Sequence, residues 1–258
     1  MIIDTHAHLM FKEFEKDLDE VLKRAKDAGV QRIVNVGCDL KSCQQSVAMA
    51  KEYDFLYATL GMHPYEADFV NEELMSEWRK IIAENKKVAA IGECGLDYFK
   101  AKVDREIQKN AFRLQIKLAL EFGLSLIVHN RDADSDCLQI LDEEFAGGKK
   151  VPVVFHCYGS NLAFAKKLWE RGIMTSFTGI VTYPNAKEVR EVVENVPMNL
   201  FMVETDCPYL APQNHRGKRN ESSYVLEVVR EIARVKGISF KDVENVSTEN
   251  ALRFFYKT

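Results

Sequence analysis

Met1-Ile2-Ile3-Asp4-Thr5-His6-Ala7-His8 opens the chain. The apolar start predicts a β-strand over residues 2–8. Side chains alternate faces along a strand, so His6 and His8 leave it on the same side, a few ångströms apart, where they can grip one metal ion. An isolated His-x-His pair is more often ordinary surface or core. This pair stands where an open doubly wound sheet, the main rival fold, carries a Gly-rich turn after its first strand.

Working outward, short apolar strand patterns recur at 32–37, 55–61, 88–93, 124–129, 153–157, 173–177 and 200–206. Helical patterns separate them, at about 13–28, 42–53, 72–84, 104–122, 134–145, 161–171 and 187–195; two more, 224–236 and 246–255, follow the last strand. The clearest is 104–122, with Ile107, Ala111, Leu114 and Leu118 on one stripe and Gly123 as its stop. Eight strands alternating with helices over this length predict an α/β fold, the (β/α)8 or TIM barrel. No linker, repeat or low-complexity segment interrupts the pattern, and Gly147-Gly148-Lys149-Lys150 reads as a loop. A single domain over residues 1–258 is expected.

Composition fits that reading. Of 258 residues, 47% are hydrophobic and 29% charged, enough apolar material for a large soluble core. No run of 18 or more apolar residues suggests a membrane span. No basic segment precedes an apolar stretch at the N-terminus, so a cytoplasmic protein without secretory signal is expected. Six cysteines form no Cys-x-x-Cys pair, which suits a reducing compartment. A net charge of −4 excludes a globally basic nucleic-acid binder; such a role needs a local basic patch and bound cations.

In such barrels functional groups sit at the C-terminal ends of the strands. Those ends carry His6 and His8, then His63, Glu93, His129, His156 and Asp206. Five of the six histidines fall there, a sorting that scattered core histidines would not show. Cys94, Cys157 and Cys207 directly follow proposed ligands, so strand alternation turns them toward the helix layer as small buried hydrophobes. Imidazole and carboxylate donors suit Zn²⁺, Mn²⁺, Fe²⁺, Ni²⁺ or Co²⁺ and tolerate Mg²⁺. Six ligands exceed the needs of one tetrahedral catalytic ion. They suit two divalent metal ions per subunit, with His6, His8, Glu93 and Asp206 on one and Glu93, His129 and His156 on the other, Glu93 bridging.

These residues resemble the TatD-type metal-dependent deoxyribonucleases of the amidohydrolase-like barrel superfamily. The matching stretches are Asp4-Thr5-His6-Ala7-His8, Gly61-Met62-His63-Pro64, Ile91-Gly92-Glu93-Cys94-Gly95-Leu96-Asp97-Tyr98, Val128-His129-Asn130-Arg131-Asp132-Ala133 and Phe155-His156-Cys157-Tyr158-Gly159. Val203-Glu204-Thr205-Asp206-Cys207-Pro208-Tyr209-Leu210-Ala211-Pro212 and Arg216-Gly217-Lys218-Arg219-Asn220 complete the set, which runs in family order over nearly the whole chain. The resemblance implies a (β/α)8 fold, divalent-metal hydrolase activity and, in the best-known members, exonucleolytic cleavage of DNA. The family's metal ligands carry over to His6, His8, Glu93, His129, His156 and Asp206. A glutamate stands at the bridge position, where many amidohydrolases use a carboxylated lysine.

The expected chemistry is 3′-5′ phosphodiester cleavage by a water held between the metals, with Asp206 and Glu93 as catalytic residues and Asp206 as general base, the alternative being that Asp206 is only a ligand. Asp4 and Glu204, each two residues before a ligand, read either as carboxylates that orient metal-bound histidines or as structural support inside the barrel. His63 reads as a substrate-facing group or proton donor. Arg131, His215 and Arg216 read as phosphate contacts, within a basic loop 215–220 that follows strand eight; Lys100, Lys102 and Arg105 extend the patch. Tyr98, Phe99 and Tyr158 read either as rings that stack bases or as core or lid packing. The substrate expected is single-stranded or frayed DNA, the protein a monomer without membrane contact. The alternatives are hydrolysis of a small ester, lactone or amide, or deacylation of a D-aminoacyl-tRNA, in the same centre; a third is a non-catalytic metal-binding scaffold.

Overall fold

The computed structural model describes residues 1–256. Strands β1 (Ile2–Ala7), β2 (Val30–Asn35), β3 (Leu56–Leu60), β4 (Val88–Asp97), β5 (Ser125–Arg131), β6 (Val153–Phe155), β7 (Met174–Phe177) and β8 (Phe201–Val203) stand in chain order in one eight-stranded sheet. Between them run α1 (Leu18–Asp27), α2 (Leu40–Glu52), α3 (Glu72–Glu84), α4 (Arg105–Phe122), α5 (Asp134–Glu144), α6 (Leu162–Glu170) and α7 (Lys187–Asn195); α8 (Val225–Lys236) and α9 (Phe240–Phe255) follow β8. This is the (β/α)8 arrangement expected from the strand pattern.

Helix boundaries are encoded locally. Asp39 accepts from Ser42 N at the start of α2, and Asn71 from Leu74 N at the start of α3. Gly123 ends α4 in the left-handed region, at φ 63°. Two helices differ from the sequence reading. α1 starts only at Leu18, because Lys12–Phe14 forms a separate 3-10 turn that buries Phe14. α9 starts at Phe240 rather than 246, because Ser239 and Asp242 close a capping box ahead of it.

The chain packs as two compact units, Met1–Asn35 with the chain from Cys157 onward, and Val36–His156. In the first, β1 pairs in parallel with β2 (Ile2 beside Val30, Asp4 beside Ile33), β7 with β8, and Ala7 bridges Cys207. Its core holds Ile2, Phe14, Ile33, Phe177 and Phe201, all fully buried. In the second, β3, β4, β5 and β6 form consecutive parallel ladders over a core of Leu56, Leu60, Phe112 and Phe155. Each such side chain contributes about 1.5–3 kcal/mol by leaving water. Among the described residues, no helix is long and apolar enough to cross a membrane.

Candidate metal centre

β1 delivers the first donor set. His6 lies within the strand and His8 one residue past its end, both buried. Strand alternation brings them together as expected: their Nε2 atoms lie 3.2 Å apart. Asp206 joins them, its Oδ1 3.7 Å from His6 Nε2 and 3.4 Å from His8 Nε2. Ligand atoms around one divalent ion with bonds of about 2.0–2.2 Å sit roughly 3.0–3.5 Å apart, so the chemistry and spacing of this set fit a cation.

Asp206 does not reach that position by strand periodicity. β8 ends at Val203, and Asp206 has φ 56°, a left-handed conformation that Asp tolerates better than most residues. Inward pointing therefore does not carry over from Glu204 to Asp206. Glu204 Oε1 accepts from Cys157 N at 2.7 Å and its Oε2 from Ser176 Oγ at 2.6 Å, which ties together the segments beyond β6 and β8 and strand β7. Asp4, fully buried, accepts from Thr205 N at 2.9 Å and Thr205 Oγ1 at 2.7 Å. It thus braces the backbone beside Asp206. Burial pushes its carboxyl up to about 7, against the hydrogen bonds from Ser222 and Thr205.

The second unit holds the other set. Glu93 Oε1 lies 2.8 Å from His129 Nδ1 and 2.8 Å from His156 Nε2. Close backbone approach makes this possible. A Cβ on Gly95 would fall 2.0 Å from the His129 carbonyl oxygen, and Gly95 has φ 140°. Glycine alone therefore lets β4 stay extended against β5, and the strand runs on to Asp97 rather than stopping at Glu93. By alternation Glu93 and Asp97 share a face. Asp97 Oδ2 meets the far nitrogen of the same ring, His129 Nε2, at 3.1 Å.

Asp97 is the residue that the sequence reading quoted but gave no role. Its Oδ1 also accepts from the backbone N–H groups of Phe99 (2.9 Å) and Lys100 (2.7 Å). Burial alone would raise its pKa; the bond from His129 and these amides hold it well below the usual carboxylate range. Burial alone would lower His129, but Asp97 and Glu93 more than offset it and raise the ring's pKa. The signal available in sequence was spacing, since Asp97 follows Glu93 by four on one strand.

His63, set apart from the ligands in the sequence reading, lies among them. Its Nε2 is 3.2 Å from His129 Nδ1 and 3.6 Å from Glu93 Oε1. Its Nδ1 accepts from Tyr65 N at 3.2 Å, so in the neutral ring the proton sits on Nε2. Burial pushes its pKa down to about 3 and keeps it neutral. Among the described residues, the clustered donors are histidines and carboxylates, with no cysteine among them. Cys94 and Cys207 are fully buried, as expected; Cys157 is only partly so, because φ 45° takes its backbone out of strand geometry.

The basic groups divide. Arg131 is exposed, its guanidinium 4.2 Å from the Phe99 ring centroid. Arg216 lies 4.2 Å over Tyr183, and His215 stacks on Tyr224 at 3.7 Å. Arg219 is committed elsewhere: both its terminal nitrogens meet Asp17 at 2.7 Å. Asn220 is buried and donates to the carbonyls of Thr205 and Tyr209. The 215–220 loop is therefore half structural brace and only half exposed cation. Of the three aromatics expected to stack bases, Tyr158 is buried and Tyr98 is bonded through its hydroxyl to Asp136 at 2.6 Å; Phe99 is exposed.

A family model described as TatD related DNase matches residues 3–256. The chain is 44% identical over 255 residues to the uncharacterized metal-dependent hydrolase YabD of Bacillus subtilis (strain 168), covering 99% of each. It is 30% identical over 262 residues to a Cronobacter sakazakii protein named 3'-5' ssDNA/RNA exonuclease TatD, covering 99% of this chain and 98% of that one. The crystal structure of YJJV, a TatD homolog from Escherichia coli K12, matches with a TM-score of 0.92 at 26% identity, over 100% of this chain and 98% of that one.

Proposed function

The chain belongs to the TatD related DNase family, as its motifs led us to expect, and is a metal-dependent hydrolase with a (β/α)8 fold; from that premise we propose that it is a 3′-5′ exonuclease acting on single-stranded or frayed DNA. It does so as one domain over residues 1–258. The name of the Cronobacter relative supports the reaction, and the exposed guanidinium of Arg131 supports a phosphate-bearing substrate.

Six residues would hold two divalent cations, His6, His8 and Asp206 one and Glu93, His129 and His156 the other. Mg, Zn, Mn and Ni all suit these donors. When bound, such ions polarise a phosphoryl oxygen and make water more acidic. The remaining work falls to the protein's own groups. Asp206 accepts the proton of the attacking water at a carboxylate oxygen. His63, being neutral, donates a hydrogen bond from its Nε2–H to the leaving oxygen, which takes its proton from water. Arg131 binds a non-bridging phosphate oxygen. Asp97, 3.1 Å from His129 Nε2, would keep the ring's proton on that nitrogen, which leaves the Nδ1 lone pair for a cation held beside Glu93.

The observation that carries this reading is the single Glu93 oxygen lying 2.8 Å from two imidazole nitrogens, the donor chemistry of a carboxylate in a hydrolytic metal site. The test is an assay of protein reconstituted with each metal on 3′- and 5′-labelled single- and double-stranded DNA, beside a panel of small esters, lactones and amides. A 3′-end ladder that disappears in Glu93→Ala is expected. Turnover of a small ester or amide with inert DNA overturns the nuclease reading.

A further inference from the structure

Five large apolar side chains of the Val36–His156 unit are exposed: Leu40, Tyr65, Phe69, Phe99 and Ile107. All five lie between the C-terminal end of a strand and the first turn of the next helix. Single exposed apolar residues need no explanation; this restriction to the functional ends of the strands does. Three of the five are aromatic, and two of those are anchored to one carboxylate. Tyr65 donates its hydroxyl to Asp97 Oδ2 at 3.3 Å, while Phe99 donates its backbone N–H to Asp97 Oδ1 at 2.9 Å. Asp97 in turn holds His129. The Tyr65 hydroxyl and the Phe99 backbone are therefore both tied to the carboxylate that meets His129.

Their surroundings suit a nucleotide. Phe99 is 58% exposed, with Arg131 seated over one face at 4.2 Å. The segment running on from Phe99 adds exposed Lys100, Lys102 and Arg105 in a chain that is acidic overall. A π face backed by a guanidinium, with cations alongside, binds an unpaired base by stacking and its phosphate by charge. A base inside a duplex has both faces covered by its stack neighbours and cannot use the platform.

We propose that Phe99, backed by Arg131 and flanked by Tyr65, is a stacking platform for an unpaired nucleobase, and that it gives the active site its preference for single strands. The inference rests on the nuclease reading and adds the groups that select its substrate. Sequence reading named Phe99 among three candidates; exposure singles it out and brings in Tyr65.

The test compares binding of a labelled phosphorothioate single strand with that of an abasic strand of equal length, by fluorescence anisotropy, using the full-length metal-loaded protein. Stacking of one base contributes roughly ten-fold in affinity or more. Wild type should prefer the base-bearing strand by about that factor, Phe99→Ala should lose most of the preference while keeping its abasic affinity, and Phe99→Trp should restore it. Unfolding curves that match wild type show the variants intact. The proposal is overturned if wild type binds both strands equally or if Phe99→Ala keeps the preference. Either result leaves the nuclease reading standing; failure of wild type to bind any strand removes both.

Discussion

His129 is held from both ends: Nδ1 lies 2.8 Å from Glu93 Oε1, and Nε2 lies 3.1 Å from Asp97 Oδ2. An imidazole offers a metal one lone pair, and a carboxylate on the opposite nitrogen decides which one by keeping the proton there. Asp97 is itself fixed by backbone amides of the following loop, so the ring's aim is set by β4 and not by solvent. Asp97→Asn should weaken metal binding about 10- to 100-fold, with a larger loss in Asp97→Ala. Isothermal titration of metal-free protein with Mn²⁺ or Zn²⁺ measures this, and unchanged affinity in both variants would remove Asp97 from the site.

Gly95 makes the same arrangement possible from the backbone side. A methyl group there would lie 2.0 Å from the His129 carbonyl oxygen, on a residue already at φ 140°. Neither clash nor backbone can relax without separating β4 from β5. Gly95→Ala should cost about 3 kcal/mol or more and should abolish metal binding with it. Urea unfolding gives the first and metal titration the second; a variant as stable as wild type would show that the two strands have slack.

The fold was legible because its signals are periodic and repeated. Each strand was marked by its apolar run, and Gly123 marked the end of α4. His6 and His8 could be placed together because i and i+2 share a face within a strand. The same rule failed where the strand had already ended. Asp206 lies beyond β8 at φ 56°, so no alternation linked it to Glu204. Glu204 and Asp4 were recognisable as buried carboxylates but not by their partners, since Ser176 and Thr205 come from distant sequence. The loop 215–220 read as a cationic patch because sequence cannot show that Asp17, far away in the chain, occupies Arg219. Asp97 was legible in principle, but only once β4 was known to run past Glu93.

The ion network behind that loop sets an acid limit on stability. Arg219 pairs with Asp17, and Arg24 grips Glu221 through contacts of 2.6 and 2.8 Å. The Arg219 hydrogen bond holds the Asp17 carboxyl below its ordinary 3.8. Burial would raise Glu221, yet the bonds from Arg24 and Ser223 bring it below its ordinary 4.5. Carboxyls with lowered folded pKa values contribute stability above the unfolded values and lose it as pH falls through the folded ones. Stability should therefore decline as pH drops below about 4.5. Arg24→Met should cost about 1–3 kcal/mol at neutral pH by removing the guanidinium bonded to the buried Glu221 carboxylate, and should flatten the acid decline. Urea midpoints across the acid range test both; an identical pH profile in the variant would show that Glu221 is indifferent to Arg24.

Asp206 combines two demands that substitution can separate. Its oxygen sits 3.4 Å from His8 Nε2, and its backbone is left-handed. Asn shares the tolerance for that conformation, whereas Ala does not. Asp206→Asn should therefore fold like wild type, while Asp206→Ala should lose about 1 kcal/mol of stability from the backbone alone. The proton of the attacking water needs a basic acceptor, which an amide is not. Asp206→Asn should lower turnover of single-stranded DNA by about 10²- to 10⁴-fold, even at metal concentrations that saturate the site. Measuring turnover beside bound-metal content separates the roles. Full metal content with turnover lost assigns Asp206 as the base, turnover restored by added metal makes it only a ligand, and wild-type turnover without added metal dismisses it from both.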